Sequence, residues 1–71
     1  MRNCNFMIIE AIAVRRALVD QAWSDYRAGI DTLEDTLDDI AIIRKRDHGA
    51  RLAMLKQRGI PYPQVNYSGC A

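Results

Sequence analysis

One histidine, two cysteines, two prolines and a single phenylalanine are spread through 71 residues, and each scarcity excludes something. Cys4, His48 and Cys70 show no zinc-ligand spacing, so no metal and no other cofactor is expected. No run of side chains approaches the ~20 apolar residues that cross a bilayer, which argues against a membrane partner. The longest apolar stretch, 6–14, is cut by Glu10 and followed by Arg15 and Arg16 without a small-residue cleavage site, which is not the pattern of a secretory signal. Neither sign of charge dominates: ten Lys and Arg face nine Asp and Glu, for a net charge of +1, so global electrostatics nominate neither a nucleic acid nor an anionic surface. Internal repeats and low-complexity tracts are absent. The expectation is a cytoplasmic protein with both thiols reduced; in an oxidising compartment Cys4 and Cys70 would instead be candidates for a bridge worth ~4 kcal/mol.

What is present is helical periodicity. Asn5 is a candidate N-cap, and from Phe6 to about residue 28 nothing breaks a helix while Ala and Leu abound. On a wheel of ~100° per residue, Met7, Ile8, Ala11, Ile12, Val14, Leu18, Val19, Ala22, Trp23 and Tyr26 fill one half. Glu10, Arg16, Asp20, Ser24 and Arg27 fill the other. Gly29 closes this first helix, and Asp31 with Glu34 has the spacing of a capping box opening a second over about 32–58. Gly59 and Pro61 stop it. The weak point is Asp47-His48-Gly49, where a glycine costs roughly 1 kcal/mol in a helix interior and a break is the alternative. The tail, 59–71, carries no charged side chain and two prolines, and is expected to be extended.

A short connection forces the two helices antiparallel, so the expected fold is an all-α, two-helix hairpin forming a single domain. With the turn at Gly29, residue i of the first helix faces roughly residue 60 − i of the second. Apolar side chains then meet apolar ones near the turn, and farther along Arg15 meets Arg44, Asp47, His48 and Arg51 inside the seam. Ionisable groups are costly in a seam unless paired. This cluster therefore reads as an ion-pair network that fixes register, or as an anion site built on arginine, which suits carboxylate and phosphate. No Ser, Cys or carboxylate is placed to make His48 the base of a nucleophile, so no catalytic residue and no enzymatic activity is expected.

The first apolar half-wheel is wider than one helix can cover, and a pair of this size is marginal alone, rarely exceeding roughly 3–5 kcal/mol. Association into a bundle, with a homodimer favoured or another protein as partner, resolves both points. The expected interaction surface is Ile8, Ile12, Val19, Trp23, Tyr26, Leu37, Ile40 and Leu55. Acidic residues crowd 31–39 and basic ones 44–58, an order the helix dipole favours, and one that lets the second helices of two chains pair antiparallel. A nucleic acid bound through Arg44, Lys45, Arg46, Arg51 and Arg58 is the alternative partner.

The run Arg27-x-x-Ile30-Asp31-x-Leu33-x-x-x-Leu37-x-x-Ile40-x-x-x-Arg44 resembles the first helix of the all-helical chorismate mutases, over about a quarter of the chain. In that family an Arg, an Ile-Asp-x-Leu segment and a second Arg share one helix, and the arginines hold a dicarboxylate. The resemblance implies an anion-binding helical enzyme using Arg15, Arg27 and Arg44. Beyond Arg44 the chain departs from the family: Asp47 and Arg51 stand where apolar residues belong, and Lys56 is out of phase with the family's lysine. An association module without chemistry of its own remains the main expectation.

Overall fold

The computed structural model describes residues 6–65, with side chains from Ile8 onward. It is all-helical, with three helices and no strand among those residues: α1 (Phe6–Arg27), α2 (Leu33–Lys45) and α3 (His48–Gln57). The candidate cap Asn5 and the candidate pair Cys4–Cys70 lie outside the described residues.

The first helix ends as its sequence dictates. Gly29 sits at φ +79°, a left-handed conformation that L side chains resist. Its N–H donates to the Tyr26 carbonyl at 3.0 Å, and the N–H of Ile30 donates to that of Asp25 at 2.9 Å. This paired closure satisfies carbonyls that would otherwise be orphaned. Thr32, rather than Asp31, then caps α2: its Oγ1 accepts from the Asp35 N–H at 3.1 Å. Threonine serves as well as aspartate in this role, and the chain spends one more residue in the turn.

The expected second helix over 32–58 is two helices. α2 stops at Lys45, residues 46 and 47 are extended, and Asp47 starts α3 by accepting from the Ala50 N–H at 2.8 Å. The direction of the chain reverses at this joint. Arg58, just past the end of α3, forms a bidentate pair with Asp39 in the middle of α2, both N···O distances being 2.8 Å. The two-helix hairpin is thus replaced by three helices, and the rungs expected below the joint, Arg15 on Asp47 and Ile12 on His48, do not form. A second glycine closure ends α3, with Gly59 at φ +66°. There the Ile60 N–H donates to the Leu55 carbonyl at 3.0 Å and the Ile60 side chain packs against the core around Leu55.

α2 and α3 each pack on α1 and only sparsely on one another. Val14, Leu18 and Ala22, four residues apart along α1, are buried, and they are covered by Ile40 and Ile43 of α2 and Leu55 of α3. The one buried polar side chain is Thr36, whose hydroxyl donates to the Thr32 carbonyl at 2.8 Å, so its burial carries no unsatisfied donor. After α3, the segment 61–65 lies against the side of α1 that carries Ile9, Ala13 and Ala17.

Candidate functional site: an open face on α1 and α2

Antiparallel pairing brings the expected arginines together as far as the joint. Arg15, Arg16 and Val19 of α1 and Arg44 of α2 line one groove of about 410 Å³. On the opposite flank of the same helix pair, Gln21 and Asp25 lie beside Asp35 and Asp39 around Arg58. Both sets obey the register read from the sequence, residue i near roughly residue 60 − i. Each level of α1 can therefore be assigned its neighbour on α2.

The two flanks differ in what covers them. The flank of Asp25, Asp35 and Asp39 receives the end of α3, and its charges have internal partners. Gln21 donates to Asp25 at 2.9 Å, and Arg58 clamps Asp39, with side chains 35% and 30% exposed. That carboxylate raises the guanidinium pKa above its ordinary value, the hydrogen bond being the largest cause. The flank of Arg15 and Arg44 receives nothing. On α1 it presents Ile8, Ile12, Val19, Trp23 and Tyr26, which fall within about 80° of arc. On α2 it presents Leu33 and Leu37. Ile8 is 57% exposed, Ile12 44%, Leu33 47% and Leu37 50%. Trp23 is half-buried, with Tyr26 edge-on at a ring-centroid distance of 6.1 Å.

Seven neighbouring apolar side chains left open on a domain this small form a patch rather than scattered exposure. The reason is geometric. The apolar half-wheel of α1 extends past the arc that α2 and α3 cover together, and the reversal at residues 46–47 carries α3 to the other side.

Several expected residues serve elsewhere. Ile40 and Leu55, counted as interaction surface, are core: Ile40 faces α1, and the return of α3 brings Leu55 onto Val14 and Leu18. Asp47 is a helix cap rather than a counter-ion in the seam. Arg51 braces the joint, its Nε donating to the Ile43 carbonyl at 2.9 Å and its Nη2 to the Arg44 carbonyl at 3.1 Å. His48 is half-buried at the first turn of α3, with Nδ1 shielded and without a hydrogen-bond partner among the described residues. Arg15 and Arg44 are exposed at the edge of the apolar strip rather than sunk within a seam. Leu33, which belongs to the open face, was missed by the sequence reading because the hairpin register set it against Tyr26.

No group of three or more His, Cys, Asp or Glu among the described residues is arranged to hold a metal, and no described helix is long and apolar enough to cross a membrane. The run that resembles the chorismate mutase helix is not one helix here. It starts on the last residue of α1, passes through the Gly29 turn, and finishes on α2. Comparison with protein-family models, curated proteins and solved structures gave no match to this chain.

Proposed function

We propose that this chain is a non-enzymatic association module, an assembly, adaptor or regulatory subunit of the cytoplasm that binds protein through the open α1–α2 face. The observation that supports this reading is the asymmetry of the fold. One flank of the hairpin is covered and its charges paired, while the other leaves Ile8, Ile12, Leu33 and Leu37 near half exposed. Burying such side chains stabilises a complex by ~25 cal/mol for each Å² of apolar surface removed from water.

The alternative, a nucleic acid held by the basic residues of 44–58, would draw on three of those five cations. Arg51 is committed to the carbonyls of α2 and Arg58 to Asp39.

Sedimentation of the purified chain, alone and with extract of its native host, tests the proposal beside an Ile12→Asp, Leu37→Asp double variant. Both positions are exposed, so the variant keeps the fold. A mass above that of the chain, alone or with the extract, that the variant loses supports an association face. Wild-type chain that stays at its own mass in both conditions, or complexes indifferent to the substitutions, would remove it.

A further inference from the structure

We propose that the occupant of the open face is a second copy of this chain, related by a two-fold axis that crosses both helices at the level of Val19 and Ala41. The proposal rests on the association reading above and specifies its partner.

Size permits it. A face about 33 Å long, the length of α1, and ~20 Å wide, two helices side by side, presents roughly 660 Å². A standard interface takes ~800 Å² from each partner once side-chain relief is counted.

Charge selects the symmetry. Two face-to-face arrangements have a two-fold axis. An axis parallel to the helices lays α1 on the partner's α2 at the same level. Arg15 and Arg16 would then meet the partner's Arg44, with no carboxylate lining that groove. Like charges across an interface reject that pairing. An axis perpendicular to the helices lays α1 on α1 and α2 on α2, each antiparallel to its copy.

The acidic rim of α2, Glu34 and Asp38, then lies along the partner's basic rim, and Arg44 and Lys45 along the partner's acidic one. All four of these side chains are exposed, and none has an ion-pair partner among the described residues, in contrast to Asp39 on the covered flank. Placing the axis at Ala41 sets Arg44 opposite the partner's Asp38. On α1 the same axis puts Val19 on itself, Ile12 against the partner's Tyr26, and Arg15 over the partner's Trp23, where an indole face attracts a guanidinium. One axis thus matches the apolar strip and the charged rim together.

The test uses two charge-reversed chains: Glu34→Lys with Asp38→Lys, and Arg44→Glu with Lys45→Glu. Each alone sets like charges across both α2 contacts. Mixed, they set opposite charges across both. The proposal expects the wild type to dimerise at micromolar concentration, each reversed chain to bind itself at least tenfold more weakly, and the mixture to regain dimers of one chain of each kind. Mass spectrometry under native conditions reads all three, and circular dichroism verifies that both chains are helical.

An on-axis probe works without any charge change. In a Cys4→Ser, Cys70→Ser background, Val19→Cys should be joined to its copy by a short bismaleimide, and Arg27→Cys, far from the axis, should not. A wild-type chain monomeric at 100-fold higher concentration, a mixture that fails to pair, or equal linking at both cysteines would overturn the proposal. A monomeric wild type that still forms an Ile12- and Leu37-dependent complex in host extract would sink the second copy alone and leave the association reading standing.

Discussion

Arg51→Met should destabilise the protomer by about 2 kcal/mol, and the reason lies at the joint between α2 and α3. α2 ends without a glycine, because Arg46 and Asp47 are both extended, so its last carbonyls need a donor from elsewhere. Arg51 supplies two: Nε to the Ile43 carbonyl, partly buried, and Nη2 to the exposed Arg44 carbonyl. Hydrogen bonds to a charged group contribute ~1.5–3 kcal/mol, and water can replace the exposed one, which leaves about 2 kcal/mol for the pair. A chain of this size commands roughly 3–5 kcal/mol. The loss is therefore about half the total, and it lowers the thermal midpoint by ~8–16 °C. Arg51→Lys retains a cation beside the negative end of α2 but offers one point of attachment, and should lose about half as much. Thermal and urea unfolding followed by circular dichroism, at fixed protomer concentration because association shifts the midpoint, gives both values. An Arg51→Met chain within ~0.5 kcal/mol of the wild type, or a Lys variant as impaired as the Met variant, would refute the bracing role.

Further expectations concern the same joint and the covered flank. Asp47→Ala should cost ~1 kcal/mol by removing the cap on Ala50, whereas Asp47→Ser, which can still accept that N–H, should stay near the wild type in urea unfolding. Gly49→Ala should stabilise by ~0.5–1 kcal/mol, since the residue is helical and an added Cβ would meet only the Asp47 Oδ1, at 3.6 Å; a loss of stability would show the first turn of α3 to be strained. Arg58→Met should cost ~0.2–1 kcal/mol, because the pair with Asp39 is about one-third exposed, and added salt should narrow the difference from the wild type. The Tyr62 phenol should titrate above its ordinary value near 10, through desolvation first and then the neighbouring Glu10 carboxylate, to which it donates at 3.4 Å. The folded form then favours the neutral phenol, so this contribution is present below pH ~10 and fades as the pH rises beyond the unfolded value. An ultraviolet titration in which Glu10→Gln leaves the phenol unmoved would show that the carboxylate has no part.

The turn at Gly29 was legible because one residue type answers one backbone demand, and the register that follows from it holds wherever α2 runs beside α1. The joint was harder to read. Ile43, Leu52 and Leu55 continue an apparent helical spacing across residues 46 and 47, so the periodicity hides the break. Asp47 carried the signal that could have exposed it, an acceptor three residues before Ala50, but as a charged residue in an apolar series it was assigned to the seam. Arg51 gave no such sign, since bracing another helix's carbonyls depends on the reversal itself. The open face was legible in outline, from an apolar half-wheel too wide for one neighbour. Its true members, Leu33 included and Ile40 and Leu55 excluded, required knowing on which side α3 returns.

Because α2 and α3 lean on α1 and scarcely on each other, the molecule is built like two leaves hinged to one spine. Either leaf can lift while the other stays seated. Amide protons of α3, its ten residues held by Leu55 and the Arg58 clamp, should therefore exchange with solvent through a partial opening cheaper than complete unfolding, while those in the middle of α1 wait for the whole chain to come apart.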